Sequence, residues 1–216
     1  MSSGSAALDR RLPVYLLLDC SGSMAGDPIA ALEVGLKTLL ADLLDDPQAM
    51  DTVWLSVVTF DSMADQVVPL MDISEFRTPH LAASGATALG EAFELLSERI
   101  HDEVRKTTEE QKGDWKPIVF VFTDGEPNDG WEESIAEFRS QHSAEIIACG
   151  AGAEVDRNTL KRIGDQVVFL KDTAPGTLGA FMKWVTETIG AKSKSVGTGG
   201  NVKAPVPEDQ RIVVVQ

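Results

Sequence analysis

The sequence predicts a doubly wound α/β fold: a central, mostly parallel sheet with helices on both faces and one antiparallel edge strand. Three observations lead there. Runs such as residues 14–18 and 118–122 are apolar without alternation, the mark of strands buried on both faces. Between such runs, apolar residues recur three or four apart, as on one side of a helix. Polar residues suited to ligand chemistry gather where the runs end, and sheets of this kind bind ligands beyond the carboxyl ends of their strands.

The elements follow in order. A strand is expected near 13–19, breaking into the Gly-containing turn of LLLDCSGSM. Ile29, Leu32, Leu36, Leu39, Leu40 and Leu43 then form one helical stripe. A strand near 53–60 turns at 61–64 into an antiparallel edge strand near 65–71, making a hairpin. Leu89, Phe93, Leu96, Ile100 and Val104 mark the next helix, and the charged stretch 103–116 reads as its end plus an exposed loop. Strands near 117–123, 144–150 and 167–171 follow, with a helix at Trp131, Ile135 and Phe138 after the first of them. Leu178, Phe181, Met182, Val185 and Ile189 give the last helix. From there the segment AKSKSVGTGGNVKAP is small, polar and Gly-rich, the composition of a flexible linker. It leads to an apolar patch at 212–215 that would add a strand to a partner's sheet or fold back on this domain's own edge. The expected division is a tail at 1–10, one domain at 11–190 and a flexible tail at 191–216.

At 216 residues, 43% hydrophobic and 25% charged, the chain is long enough for a substantial core. A net charge of −15 argues against nonspecific binding to nucleic acid or to an anionic membrane. The segment MSSGSAALDRR lacks an apolar signal-peptide core, so a cytoplasmic location is expected. Cys20 and Cys149 follow strands that the expected order separates by another strand, hence by roughly 9–10 Å, beyond disulfide reach. Both are expected to be free, buried thiols. His80, His101 and His142 show no metal-ligand spacing.

The chemistry concentrates at Asp19, Ser21 and Ser23. In a locally extended segment residues two apart point the same way, so one carboxylate and two hydroxyls converge while Cys20 faces elsewhere. An oxygen-only half-shell suits Mg²⁺ better than zinc or copper. Thr87, in SGATALG, and Asp124, ending IVFVFTDG, are candidates for the other half. Singly, each has a plainer role: strand end, turn former, helix N-cap or first turn residue. Asp27 reads as an N-cap before Pro28, and Asp61 as a turn residue. Glu126 and Asp129 either shape the charge of the rim or sit in a solvated loop. A phosphohydrolase built on Asp19 would want a second Asp at the position of Ser21 as acid and base. Neither the G-x-G-x-x-G nor the Walker pattern occurs.

Asp19, Ser21, Ser23, Thr87 and Asp124, in this order, resemble the metal-ion-dependent adhesion site (MIDAS) of von Willebrand factor A (VWA) domains, a Rossmann-like fold. The resemblance implies a divalent ion held by these five, Mg²⁺ first and Ca²⁺ or Mn²⁺ as alternatives. It also implies a protein partner whose Asp or Glu completes the shell, with Asp124 coordinating through water, and no catalysis. DCSGSMAGDPIAAL, SGATALGEAF and TDGEPNDGW further resemble TerY-type proteins of bacterial tellurium-resistance systems, with Asn128 where that family commonly has Thr. That likeness implies a cytoplasmic scaffold or adaptor in a stress-response complex, with a protein kinase and a PP2C-type phosphatase as candidate partners. The alternatives in view are an adaptor for an AAA-type ATPase and, less well supported, a Mg²⁺-dependent phosphohydrolase.

Overall fold

All eight residues of β1 (Leu12–Asp19) are buried, so the strand has neighbours on both sides and helices on both faces. The structure is a computed structural model and describes residues 10–153, 155–196 and 203–215. After β1 come a 3₁₀ turn (Gly22–Met24), α1 (Asp27–Asp45), α2 (Pro47–Thr52), β2 (Val53–Phe60), β3 (Ala64–Asp72) and α3 (Leu89–Glu103). They are followed by β4 (Ile118–Thr123), α4 (Trp131–Gln141), β5 (Glu145–Ala151), α5 (Arg157–Ile163), β6 (Gln166–Leu170), α6 (Pro175–Ser195) and β7 (Ile212–Val215).

The strands form one seven-stranded sheet in the order β3-β2-β1-β4-β5-β6-β7. β2, β1, β4, β5 and β6 are parallel, and β3 is the expected antiparallel edge strand. β1 lies between β2 and β4, with Asp19 beside Phe60 and Leu18 beside Phe122. Each strand sends alternate residues to opposite faces. Val14, Leu16 and Leu18 join Phe120 and Phe122 under α1 and α6, while Tyr15 and Leu17 join Val119 and Val121 under α3, α4 and α5. Phe122 packs on Phe181 at 5.3 Å, and on the other face Phe93 meets Phe138 edge-on at 5.4 Å. A Cβ at Gly35 would stand 2.4 Å from Met182 Cγ, so the missing side chain lets α1 approach α6.

At the amino-terminal pole of the sheet, Arg11 is buried and its Nε donates to Asp114 Oδ1 and Oδ2 (2.9 and 3.0 Å), while Nη2 donates to Asp114 and to the Glu103 carbonyl. Arg10 stacks 3.5 Å over the Trp115 ring. The loop at 103–116 is therefore fastened to the start of β1.

Three sequence expectations need correction. α6 runs past 190 to Ser195, because Lys192 pairs with Glu145 (2.8 Å) and the Ser193 hydroxyl meets that of Thr52 at 2.9 Å. The apolar patch is not part of a flexible tail: of its two expected places it takes this domain's own edge, as β7, antiparallel on β6, with Ile212 buried opposite Leu170. The Trp184 indole N–H donates to the Pro205 carbonyl (2.8 Å) and fixes the approach to that strand. Residues 197–202 and all of the expected tail at 1–10 except Arg10 lie outside the described residues. Asp27 begins α1 rather than capping it, since Gly26 (φ +86°) is the N-cap. Both cysteines are free and buried, with β4 between their strands. Among the described residues no helix is long and apolar enough to cross a membrane.

Removing residues 203–216 is expected to lower the thermal midpoint by about 5 °C. The deletion strips β6 of its outer hydrogen bonds and exposes the apolar surface under Ile212, a loss of about 2 kcal/mol. Differential scanning calorimetry checks this, and an unchanged midpoint would mean that β7 adds nothing to stability.

Candidate metal centre at the carboxyl edge of the sheet

Three loops meet where β1 and β4 end. The first continues from β1: the Cys20 N–H donates to the Phe60 carbonyl (2.8 Å), so the β1–β2 ladder extends one residue past the strand. Beyond it, Gly22 N–H donates to the Gly85 carbonyl (3.1 Å) and Ser84 N–H to the Cys20 carbonyl (2.8 Å), tying the first loop to the second. The second and third are joined by Asn128 N–H donating to the Thr87 carbonyl (3.2 Å). These backbone bonds set the loops before any side chain acts.

Asp19 is fully buried at the tip of β1. Its Oδ1 accepts the Ser21 N–H (2.8 Å) and its Oδ2 accepts the Thr123 hydroxyl (2.6 Å). The Ser21 and Ser23 hydroxyls lie 3.0 Å apart, and Ser23 Oγ donates to Asp124 Oδ1 at 2.7 Å. The structure thus links Asp19, Ser21, Ser23 and Asp124 in one hydrogen-bonded chain. Thr87, also buried, stands beside the third loop: its Oγ1 lies 3.7 Å from where a Cβ on Gly125 would stand. It is not a helix cap, because α3 has Ala88 at its N-cap and no side-chain cap bond. Four of the five residues singled out in the sequence are thus joined by hydrogen bonds, and Thr87 lies on the neighbouring loop.

Burial pushes the Asp19 carboxyl above its ordinary range; the hydrogen bonds from Ser21 and Thr123 pull it down, and the charge of Asp124 pushes it further up. Among the described residues no Lys, Arg or His pairs with Asp19 or Asp124. A buried carboxylate beside a second one, with no cation, is a poor arrangement unless something positive joins it. The donor set fits a hard divalent ion. Adjacent oxygens around an octahedral Mg²⁺ are about 2.9 Å apart, given metal–oxygen distances of about 2.0–2.1 Å. The Ser21–Ser23 and Ser23–Asp124 separations, 3.0 and 2.7 Å, bracket that value. Among the described residues no cluster of three or more His, Cys, Asp or Glu could hold a metal. Burial, helped by the charges of Asp19 and Asp61, also pushes the Cys20 thiol up to about 12, leaving it inert beside the site.

Sequence reasoning missed four supports. Thr123 ends an apolar strand, yet its hydroxyl holds Asp19 and also lies 3.1 Å from the Gly125 carbonyl. Asp61 is more than a turn residue: besides accepting Met63 N–H (3.0 Å), it accepts the Ser84 hydroxyl (3.0 Å), and its carbonyl accepts Ala88 N–H (2.8 Å). Ser62 Oγ accepts Ala86 N–H at 3.1 Å. Glu126 crosses to the start of α5. The only sequence signal was a polar residue near each strand end. Gly85 is the tight point of the second loop, with φ +70° and an ideal Cβ position 2.3 Å from Ser62 Oγ. Gly85→Ala is expected to cost about 1–3 kcal/mol and to loosen Thr87. Urea denaturation reads the loss, and a wild-type midpoint would show that the loop relaxes freely.

Residues 14–181 match the family described as von Willebrand factor type A domain. No curated protein sequence matches the chain. Among solved structures, the chain is similar to a von Willebrand factor type A protein from Catenulispora acidiphila, at 18% identity and TM-score 0.62, covering 83% of this chain and 43% of that one. It is similar also to proximal thread matrix protein 1 from the mussel byssus, whose MIDAS motif is occupied by zinc, at 17% identity and TM-score 0.61, covering 83% and 48%. BatB, a conserved hypothetical protein from Bacteroides thetaiotaomicron, is 15% identical with TM-score 0.54, covering 84% and 99%. The chain thus spans less than half the length of the first two. At these identities the likeness shows the fold.

Proposed function

Since the chain belongs to the von Willebrand factor type A family, we propose that it is a divalent-metal-dependent protein-interaction module. The observation that carries this reading is the buried Asp19 carboxylate, joined by hydrogen bonds to Ser21, Ser23 and Asp124 and left without a cationic side chain among the described residues. Asp19 and Asp124 would supply the charge for the ion, and Ser21, Ser23 and Thr87 neutral oxygens. With three neutral donors the ion, when bound, supplies an electron-poor centre that accepts a partner's Asp or Glu carboxylate. Ser23, exposed at the rim, and the half-buried Asp124 stand where that partner would arrive. Mg²⁺ is the preferred ion, on its abundance of hard oxygen donors and the spacing above.

The site offers binding rather than bond cleavage. The position two residues after Asp19, where an acid–base carboxylate would serve a phosphoryl transfer, holds the Ser21 hydroxyl. On the likeness of its loop sequences to TerY-type proteins, the module acts as a cytoplasmic scaffold in a stress-response complex containing a protein kinase and a PP2C-type phosphatase. A pull-down from native lysate, run with Mg²⁺ and with EDTA, tests both parts. A partner retained only with Mg²⁺ supports the metal-bridged module, and its identity decides the stress-complex assignment. Retention unchanged by EDTA would move the interaction to another surface.

A further inference from the structure

Two residues past Asp124, the Glu126 side chain reaches away from the metal site to the start of α5. Its Oε1 accepts the Asp156 N–H, and its Oε2 accepts the Thr159 hydroxyl at 3.1 Å, both from residues about thirty positions away. Asp156 is the N-cap of α5, accepting the N–H groups of Asn158 and Thr159 (3.1 and 3.0 Å), so Glu126 is seated on an ordered helix start.

α5 is itself a fixed post. Leu160 and Ile163 are fully buried. Gly150 lets Leu160 approach β5, since a Cβ there would stand 2.5 Å from Leu160 Cδ1. Arg157 lies 4.9 Å over the Phe169 ring of β6, while Arg162 pairs with Glu132 at 2.5 Å and lies 5.0 Å over the Trp131 ring at the start of α4. The 124–130 loop is thus held at its far end by α4 and Asn128, at its near end by β4 and the Thr123 hydroxyl against Gly125, and between them by the exposed Glu126 side chain.

We propose that Glu126 is a positioning residue for the metal site: by bridging to α5 it holds the loop so that Asp124 stays within reach of Ser23. The inference rests on the metal-site reading above. Asp124 is half-buried and reaches the site through a single side-chain hydrogen bond, from Ser23 at 2.7 Å. A loop free to swing would carry that carboxylate off, and the ordering would then have to be supplied at the moment the ion binds. Glu126 supplies it beforehand. Read from sequence, Glu126 had a looser place, as rim charge or solvated loop; bridging requires both of its oxygens, which charge alone does not.

Mn²⁺ binding to the full chain, followed by electron paramagnetic resonance, separates these roles. Glu126→Ala is expected to weaken Mn²⁺ about five- to tenfold, and Thr159→Val, which removes one hydroxyl from the far end of the same bridge, about threefold. The double variant should bind no more weakly than Glu126→Ala, because both changes break one connection. The metal-free thermal midpoints should stay close to wild type, since both side chains lie at the surface. Wild-type affinity in Thr159→Val, or additive losses in the double variant, would overturn the bridge and leave Glu126 acting through its charge. A lowered midpoint with unchanged affinity would overturn it as well. Asp124→Ala controls the premise: if it leaves Mn²⁺ binding intact, the metal-site reading fails; if it abolishes binding while the bridge variants behave as wild type, only this inference fails.

Discussion

Asp19→Asn is expected to keep the fold and abolish divalent-ion binding, weakening Mn²⁺ or Mg²⁺ by about 100-fold or more, at or beyond the upper end of losses seen on removing a ligand's supporting group. Retention of fold follows from the hydrogen bonds. An Asn carbonyl can still accept the Ser21 N–H, and its amide can donate to Thr123 Oγ1, whose own proton can turn to the Gly125 carbonyl 3.1 Å away. The buried charge, the unfavourable part, is gone. The pH dependence has a definite sign. The folded-state pKa of Asp19 lies above its unfolded value, so the metal-free folded state favours the protonated carboxyl. Its penalty is absent below about pH 3.9, the unfolded range. It grows as pH rises through the raised folded value and is complete above it. Metal-free wild type should therefore lose stability relative to Asp19→Asn across that window, and saturating Mg²⁺ should restore it. Thermal melts of both proteins against pH, with and without Mg²⁺, check this. A variant that melts well below metal-free wild type at pH 7 would show that Asp19 is held by something other than a metal's absence of competition.

The second large effect lies at the opposite pole and concerns stability alone. Asp114→Ala should destabilise the domain by about 3–5 kcal/mol, lowering the thermal midpoint by about 10 °C. Arg11 is 7% exposed and is held in its cavity by Asp114, by the Glu103 carbonyl (2.6 Å) and by the Trp54 ring 4.4 Å away. Removing Asp114 strands a guanidinium that is never neutral, and also frees the Arg105 N–H that Asp114 Oδ2 accepts at 2.8 Å. Divalent-ion affinity should not move, because the pair is at the amino-terminal pole of the strands. Guanidinium denaturation reads the loss; a change below about 1 kcal/mol would mean that water replaces the carboxylate without strain.

The sheet was legible because its strands are buried on both faces: continuous runs such as 118–122 have few other uses in a chain of this composition. The five polar residues were singled out through their order and their positions at strand ends or helix starts, and hydrogen bonds join four of them. What stayed hidden has short range or one-sided signals. α2 and α5 span six and seven residues, too few for periodicity to declare itself, although Asp46 and Asp156 cap both. β7 has four residues behind a Gly-rich stretch, and its composition fits a partner's sheet as well as its own. Thr123 was hidden because a β-branched residue suits a buried strand whether or not its hydroxyl is used. Glu126 and Asp61 act across long sequence separations, and no local pattern encodes a crossing to another loop.

β7 has a consequence for how the molecule is displayed. Because it runs antiparallel to β6, its last described residue, Val215, pairs with Val167 near the amino-terminal end of that strand. Arg10 lies at that same pole, stacked on Trp115 just ahead of β1. A surface or label attached at Arg10 or at Val215 would sit on the far side of the sheet, so the candidate metal site would point away from its anchor like the business end of a probe. Immobilising the protein through either residue should therefore leave the metal face open to solution.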